Sequence, residues 1–243
     1  MGCVFIGTSG WSYAHWEGAF YPVGLAPSER LGFYQKHFAT VELNSSYYQW
    51  PANQTFQSWH KRLPSGFTLA VKAPGGLTHR QKLYDPEAWL TRITNGLSYL
   101  KEHRGPVLVQ VPNTLSLDEP RLRYFLESLP NGHRVALEMR HASWHREDIY
   151  ALLEQYGVAY CVMSGANLPC VLRATADFVY MRLHGPSPDF MYAGSYSEDS
   201  LLWWSERIWE WRGQHRDVYV YFNNDGEANA VRNALCLREF QQA

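Results

Sequence analysis

Short β-rich runs recur along this chain at intervals that leave room for a helix between most of them. Strand followed by helix, repeated eight times, is the sequence signature of a parallel (β/α)8 barrel. A doubly wound open sheet is the alternative, but it usually has fewer strands and often a glycine-rich first turn, whereas the first turn here reads GTSGWSY. We therefore predict the α/β class and a single TIM-like (β/α)8 barrel. The predicted strands are 4–7, 40–43, 68–72, 107–110, 135–139, 159–163, 178–183 and 218–222, and the predicted helices are 28–38, 53–62, 86–103, 118–129, 146–156, 198–212 and 227–240.

Two connections depart from this regular pattern. The segment 164–177 is only just long enough for a crossover, and its Pro169 disfavours a regular helix, so we expect a stunted sixth helix. The segment 184–197 reads HGPSPDFMYAGSYS, and its glycine, proline and aromatic residues predict an ordered functional loop. Because no repeat, low-complexity tract or linker interrupts the chain, we predict one domain over 1–243.

Charge and cysteine content limit the classes of partner. The 22 basic and 23 acidic residues give a net charge of -1, so no sequence-wide positive field attracts nucleic acid or an anionic membrane. The chain contains no apolar run near the ~20 residues of a membrane span and no basic segment followed by a long apolar one. The four cysteines form no CxxC pair, which argues against a structural zinc site or a disulfide framework. We expect a cytoplasmic protein without a membrane or nucleic-acid partner, and the oligomeric state stays open.

The stretch VALEMRHASW, 135–144, gives the clearest sign of a site. At the period of two that a strand imposes, Val135 and Leu137 face one side and Glu138 and Arg140 the other. Burying charged groups beside an apolar strand is costly unless they are paired, so such a strand requires an explanation. The same parity places polar residues at the carboxyl ends of six strands, where barrel enzymes have their active sites. The inward set is Glu42, Asn44, Lys72, Gln110, Glu138, Arg140, Tyr180, Arg182, His184, Tyr219, Tyr221 and Asn223. The alternative is that these charges only pair with one another inside the barrel.

Seven motifs in this order resemble the DUF72 family, also called the YecE-like or UPF0759 family. They are GTSGWSYAHWEGAFYP, TVELNSSYYQWP, LAVKAP, VLVQVP, VALEMRHASW, FVYMRLHG with the later YAGSYS, and VYVYFNND, and together they span nearly the whole chain. The resemblance implies an eight-stranded TIM-like barrel and no established biochemical activity. It also implies that the family's recurrent polar positions correspond here to Glu42, Asn44, Lys72, Gln110, Glu138, Arg140, Arg182, His184 and Asn223.

The inward residues suggest an anion site with acid and base groups. Lys72, Arg140 and Arg182 provide fixed positive charge, which suits a phosphate or carboxylate. Glu42 and Glu138 are candidate general acid and base, with His184 as a further catalytic candidate. We therefore expect a metal-independent hydrolase, lyase or isomerase that acts on a small anionic molecule such as a phosphorylated sugar or a nucleotide derivative. Asn44, Gln110 and Asn223 are predicted to bind the same substrate.

Three alternatives remain open at this stage. Lys72 could form a Schiff base, as lysines do in barrel aldolases. Alternatively, Glu42, Glu138, His141, His184 and Asp225 could bind a divalent metal in a phosphodiesterase or endonuclease that acts on nucleic acid. Against the metal, no HxH or HExxH motif occurs and three cations crowd the same strand ends, so we expect no cofactor. The third alternative is a barrel that binds a ligand without turnover.

Two loops could form aromatic walls beside the site. Trp11, Tyr13 and Tyr192 are the residues that we predict to contact substrate. Core packing of the rings is the alternative for each of them. Backbone N–H groups of the glycine pair after Lys72 and of the segment before the last helix could also bind a phosphate, although glycine pairs are typical of turns. The remaining candidates are His15, Trp16, Tyr21, Phe190 and Tyr196 among the rings, and Gly75, Gly76, Asn224, Asp225 and Gly226 for the backbone.

Overall fold

The eight predicted strands are present in the computed structural model, which describes residues 1–242. Their order in the sheet is β1-β8-β7-β6-β5-β4-β3-β2, and the pairs β1–β8, β7–β8, β3–β4, β4–β5 and β5–β6 are parallel. Parallel strands that alternate with helices in this order define the predicted TIM-like (β/α)8 class. The strands are β1 (Val4–Thr8), β2 (Thr40–Leu43), β3 (Thr68–Lys72), β4 (Arg104–Val111), β5 (Val135–Met139), β6 (Ala159–Ser164), β7 (Phe178–Leu183) and β8 (Asp217–Phe222).

Helices follow most of the strands, and local capping explains where two of them begin. The Asp118 side chain accepts a hydrogen bond from the Arg121 N–H at the start of the helix Glu119–Glu127, and Ser197 accepts one from the Ser200 N–H at the start of the helix Glu198–Gly213. No helix within 1–242 is long and apolar enough to cross a membrane. The helices are α1 (Arg30–Tyr34), α2 (Ser45–Tyr48), α3 (Asn53–Arg62), α4 (Glu87–Ser98), α5 (Glu119–Glu127), α6 (Glu147–Gln155), α7 (Glu198–Gly213) and α8 (Asn229–Phe240), with short 3-10 or π turns at Ala14–Trp16, Gly76–Arg80, Lys101–His103, Ala142–Trp144 and Gly226–Ala228.

The connection between β6 and β7 differs from the others. Every residue of 165–177 is described, and the segment contains no helix. This confirms the expectation that the sixth crossover helix, the one after β6, is stunted, since Pro169 disfavours a helix here. Thr175 instead ends the segment with a hydroxyl that donates to the Val158 carbonyl at 2.6 Å and accepts from the Tyr160 N–H at 2.7 Å.

The chain divides into two compact units. The first unit comprises 1–42, 162–172 and 177–243, and the second comprises 43–161 and 173–176. Strands β1, β7 and β8 lie in the first unit with α1, α7 and α8, whereas β3 to β5 lie in the second unit with α2 to α6. The boundaries fall within β2, within β6 and twice within the segment 165–177. That 1–243 is a single domain stays a prediction.

Charged residues occupy buried positions on the strands of both units. In the first unit every residue of β7 is buried, including Arg182. In the second unit every residue of β5 is buried, including Glu138. Strands of a parallel sheet are normally apolar on both faces because both faces are buried. The two buried charges therefore depend on the polar partners around them.

Candidate functional site

The predicted polar residues form two clusters, one in each unit. The cluster of the first unit, which we call the Glu42 cluster, consists of Ser9, Glu42, Tyr180 and Arg182. The cluster of the second unit, which we call the Lys72 cluster, consists of Tyr47, Lys72, His79, Gln110, Glu138 and Arg140. Most of their residues lie in strands or directly after them, while Tyr47 lies in α2 and His79 in the π turn after β3.

In the Glu42 cluster, donors surround a carboxylate that has no exposed surface. Arg182 binds Glu42 through two parallel hydrogen bonds, Nη2 to Oε1 at 2.8 Å and Nε to Oε2 at 3.0 Å. Tyr180 donates to Oε2 at 2.6 Å, and the Ser9 hydroxyl donates to Oε1. The Arg182 side chain is 1% exposed. Two parallel hydrogen bonds are the strongest arrangement for an arginine and a carboxylate. They offset part of the free energy that burial of both charges costs.

Tyr180 keeps its proton in this environment. Burial raises the pKa of Tyr180 well above 10, and the neighbouring Glu42 charge raises it further. The hydroxyl therefore remains a donor to Glu42 at every physiological pH. The Glu42 cluster thus has the properties of a structural ion pair.

In the Lys72 cluster a buried carboxylate lies beside a partly exposed cation. Gln110 Nε2 and Arg140 Nε both donate to Glu138 Oε1, each at 2.7 Å. Glu138 has no exposed side-chain surface, whereas the Arg140 side chain is 19% exposed. A solute can therefore reach the guanidinium that holds Glu138, which is a clear difference from Arg182 in the first unit.

Two further basic groups and a ring complete the Lys72 cluster. Lys72 Nζ lies 4.7 Å from the centre of the Tyr47 ring, a cation–π distance, and the Tyr47 and His79 rings are 4.9 Å apart. Burial lowers the pKa of His79, and the charges of Lys72 and then Arg140 lower it further, while Glu138 opposes them. The electrostatic potential at His79 is therefore positive. The side chains of Lys72, Tyr47, His79 and Arg140 are all half-buried.

The other predicted polar residues have local partners. In the first unit Asn223 Nδ2 lies 3.2 Å from His184 Nδ1, and the Tyr192 ring packs edge-on against the buried His184 ring with centres 5.4 Å apart. In the second unit Asn44 is half-buried and precedes α2, where its carbonyl accepts a hydrogen bond from the Tyr47 N–H. His184, Asn223 and Tyr192 thus meet in the first unit, and Asn44 adjoins the Lys72 cluster in sequence.

Several of the candidate aromatic residues are interior. Trp16 has no exposed surface, Tyr21 is buried, and Tyr196 is buried with its hydroxyl donating to Ser164 Oγ. Their packing fits the core alternative. Trp11 and Tyr13 are half-buried, with the Trp11 carbonyl accepting from the Tyr21 hydroxyl and the Tyr13 hydroxyl donating to the Ser9 carbonyl. Phe190 is 70% exposed.

Two residues of the proposed metal set take part in local contacts of other kinds. Asp225 lies 3.6 Å from His15 Nε2, and the Asp225 carbonyl lies 2.8 Å from the same nitrogen. His141 accepts a hydrogen bond from the Ser143 N–H and begins a 3-10 turn. These contacts account for the positions of both residues without a metal.

Strand parity did not identify Tyr47 and His79. Tyr47 lies in α2 after β2, and His79 lies in the π turn after β3, so neither belongs to a strand with a period to read. The signal that could have found them is position, because loops after barrel strands surround active sites.

Comparisons with known proteins agree with this fold. The pattern of the family described as "Protein of unknown function DUF72" matches residues 5–243. The UPF0759 protein YunF of Bacillus subtilis is 26% identical over an alignment that covers 97% of this chain and 94% of YunF. The UPF0759 protein YecE of Escherichia coli is 28% identical over 57% of this chain and 48% of YecE.

Solved structures extend the agreement. A DUF72 family protein from Thermotoga maritima is 31% identical, with a TM-score of 0.90 over 99% of this chain and all of that chain. A DUF72 family protein from Enterococcus faecalis is 18% identical and shares the fold, with a TM-score of 0.83 over 99% of this chain and 96% of that one. The chain therefore belongs to the DUF72 family.

Proposed function

We propose that this protein is an enzyme that acts on a small anionic molecule, such as a phosphorylated sugar or a nucleotide derivative, at the Lys72 cluster. The observation that carries the proposal is the accessible group of basic side chains around one buried carboxylate. The reaction class is hydrolysis, elimination or isomerisation by acid and base catalysis, without a metal.

The composition of the Lys72 cluster favours an anion. Lys72 and Arg140 supply two charges of different geometry, a compact ammonium and a planar fork, and together they suit a phosphate or a carboxylate. The same charges disfavour a divalent cation near Glu138, because they would repel it. The Tyr47 ring provides an apolar face on which the uncharged part of a substrate can pack.

Glu138 is the acid or base in this proposal. Gln110 and Arg140 fix one of its oxygens, so the carboxylate has a defined orientation before substrate binds. An oriented carboxylate next to a bound anion can accept or return a proton, a role that typically contributes about 10²- to 10⁴-fold to a rate. Glu42 does not share this role in the proposal, since it is buried and accepts two hydrogen bonds from Arg182, one from Tyr180 and one from Ser9.

A ligand panel tests the proposal. Sugar phosphates, nucleotides, polycarboxylates and a short duplex DNA are added to the purified chain, and the change in Tm and the formation of product are measured. We expect an anionic small molecule to raise the Tm and to be converted. Lys72→Met and Arg140→Met should each weaken its binding by about tenfold or more, because loss of a charge-assisted hydrogen bond costs roughly 1.5–3 kcal/mol. Lys36→Met, at an exposed lysine of the first unit, is the matched control.

The Glu138→Gln variant separates catalysis from binding. We expect it to keep ligand affinity within a few-fold and to lose about 10²-fold or more of the turnover. Recovery of a tightly bound ligand unchanged would favour a binding protein instead, and salt-sensitive capture of the duplex would favour a nucleic-acid enzyme. If no anion raised the Tm, or if Lys72→Met and Lys36→Met behaved alike, the proposal would be wrong.

A further inference from the structure

We propose that His60, Glu102 and His103 form a binding site for a divalent transition metal ion, with Zn²⁺ as the best fit. All three residues belong to the second unit. His60 lies in the last turn of α3, while Glu102 and His103 lie in the 3-10 turn Lys101–His103 that immediately precedes β4. The site is therefore at the amino ends of β3 and β4, and it shares no residue with the Lys72 cluster.

The geometry brings three donor atoms of the right kind together. One ligand atom from each side chain lies within 4.8 Å of the other two. Glu102 Oε2 is 3.8 Å from His60 Nδ1, and Glu102 Oε1 is 3.7 Å from His103 Nε2. Ligands of a tetrahedral Zn²⁺ at bond lengths of about 2.0–2.1 Å are separated by roughly 3.3 Å. Small side-chain rotations would close the remaining gap.

A hydrogen bond at Nδ1 orients the His103 ring so that Nε2 can bind a metal. The ring is almost fully buried, and Nδ1 lies 2.8 Å from the Phe67 carbonyl oxygen, which can only accept a hydrogen bond. Nδ1 therefore carries the proton, and in the neutral ring Nε2 presents its lone pair toward Glu102. A metal-ligating histidine typically makes this bond to a carbonyl or carboxylate, because the bond fixes both the tautomer and the ring orientation.

His60 supplies a donor atom for which the described residues offer no hydrogen bond. Its Nδ1 is buried and has the Glu102 carboxylate at 3.8 Å as its polar neighbour, too far for a hydrogen bond. A buried polar atom without a hydrogen bond normally has a specific reason. The His60 and His103 ring centres are 5.4 Å apart, so both rings face the same small space.

Two imidazoles and one carboxylate select the type of ion. Imidazole nitrogen suits zinc, copper and nickel, whereas magnesium and calcium prefer oxygen ligands. Three protein ligands leave a fourth position to water, since the Glu102 side chain is 61% exposed. Lys101 is also exposed, so solvent screens its repulsion of the ion.

The site is well separated from the Lys72 cluster. His103 precedes β4, and Gln110 lies near the end of the same strand, seven residues later, a separation on the order of 23 Å. An ion at the amino ends would therefore connect the end of α3 to the segment before β4 rather than take part in chemistry at Glu138.

Metal titration of the intact chain tests this inference. The protein is stripped with a chelator, dialysed, and titrated with Zn²⁺, Co²⁺ and Mg²⁺ while heat release, Tm and the visible absorption of Co²⁺ are recorded. We expect one Zn²⁺ per chain, a higher Tm, Co²⁺ absorption typical of tetrahedral coordination, and no response to Mg²⁺. Because Mg²⁺ carries the same charge, its failure would exclude simple charge attraction.

Variants identify the ligands. His60→Gln and Glu102→Gln lie at the surface side of the site, so both should fold, and we expect each to weaken Zn²⁺ by more than the roughly 10- to 100-fold that loss of an outer partner costs. His103→Asn is a third variant, and circular dichroism checks its folding because the ring is buried. Glu154→Gln, at an exposed glutamate in the same unit, should bind Zn²⁺ like the unmodified chain. Equal Zn²⁺ affinity in His60→Gln, Glu102→Gln and Glu154→Gln, or the absence of 1:1 binding, would overturn the inference.

Discussion

Glu42 and Glu138 are the same residue type, both lie at strand ends, and both are completely buried, yet their partners assign them different tasks. Arg182 beside Glu42 is 1% exposed, whereas Arg140 beside Glu138 is 19% exposed. The exposure of the arginine, rather than that of the glutamate, therefore distinguishes the structural ion pair Glu42–Arg182 from the accessible pair Glu138–Arg140.

The first prediction concerns the stability that depends on Glu42. Glu42→Gln leaves the Arg182 guanidinium buried without its countercharge, which typically costs about 3–5 kcal/mol. We expect that loss in the free energy of unfolding measured with urea. The exposed Glu154→Gln should change it by less than about 0.5 kcal/mol. A Glu42→Gln chain as stable as the unmodified one, but inactive, would instead assign Glu42 to catalysis.

The second prediction concerns the field at His79. Lys72 and Arg140 lower the pKa of His79, so Lys72→Met should raise that pKa, and Arg140→Met should raise it by less. Glu138→Gln should lower it, because the Glu138 charge favours the imidazolium. NMR titration of the histidine ring protons measures all three variants.

His133 is an internal control for that titration. Burial and Arg104 lower the pKa of His133, and neither cause involves the Lys72 cluster. Its pKa should therefore stay constant in the three variants. Equal shifts at His133 and His79, or no shift at His79 in Lys72→Met, would contradict the placement of Lys72 beside His79.

At the level of elements, one side chain of α8 ties the end of the loop 184–197 to the helix. Asn233 accepts hydrogen bonds from the Tyr196 N–H at 3.1 Å and from Asn224 Nδ2 at 2.9 Å, and it donates to Ser195 Oγ at 3.0 Å. It is 4% exposed. The order of residues 195–196 therefore depends in part on a buried amide that bonds to both the backbone and side chains.

The third prediction follows from that amide. Asn233→Ala leaves the Tyr196 N–H and other buried groups without a partner, at about 1–3 kcal/mol for each such group. We expect a loss of about 2–4 kcal/mol in the free energy of unfolding and faster amide hydrogen exchange within 184–197. Asn95→Ala, at an exposed asparagine of α4 in the other unit, is the comparison variant. Exchange rates that matched in both variants would show that the loop is held by other contacts.

Periodic elements were predictable from sequence, and the residues between them were less so. The bounds of β2, β3, β5, β7 and α3 match the prediction, because each has an apolar repeat bounded by polar or turn residues. Strand parity also placed Glu42, Tyr180 and Arg182 on one side, and they are in contact. The predicted first helix, 28–38, is shorter, at Arg30–Tyr34, since its last residues form turns instead.

The candidate site was predictable only where it lies on strands. Lys72, Gln110, Glu138 and Arg140 follow the parity of β3, β4 and β5, whereas His79 reaches the cluster from an irregular turn. His60 and His103 are separated by more than forty positions and meet only through the packing of α3 beside the start of β4. No local pattern encodes such a meeting, because it depends on tertiary structure.

At the level of the whole molecule, buried tyrosine hydroxyls make stability depend on alkaline pH. Burial raises the pKa of Tyr196 from 10 to about 12, and it also raises the pKa values of Tyr21, Tyr34, Tyr180 and Tyr221. Below pH 10 each hydroxyl is protonated in both the folded and the unfolded state, so its contribution to stability is complete. Above pH 10 the unfolded state loses the proton first, and the free energy of unfolding therefore falls.

The fourth prediction isolates one of these groups. Tyr196→Phe removes one ionisation, so its free energy of unfolding should fall less steeply between pH 10 and about 12 than that of the unmodified chain. At neutral pH the variant should be less stable by about 1–2 kcal/mol, because the Gly185 N–H and Ser164 lose their partner. Tyr48→Phe, at an 86% exposed position, should change neither quantity. Parallel pH profiles for Tyr196→Phe and the unmodified chain would contradict the assignment.

The first unit cannot fold in the order in which the ribosome makes it, because its early residues pair with residues that are synthesised much later. Glu42 is 140 residues ahead of the arginine that neutralises it, and Val4 of β1 pairs with Val218 of β8. Because translation proceeds at roughly 5–20 residues per second, about 7 to 28 s pass between the synthesis of Glu42 and that of Arg182. During that interval the nascent segment around Glu42 carries an acidic side chain that water, and not the protein interior, must solvate. The segment around Glu42 must therefore wait for Arg182 and for β8 before it reaches its native state.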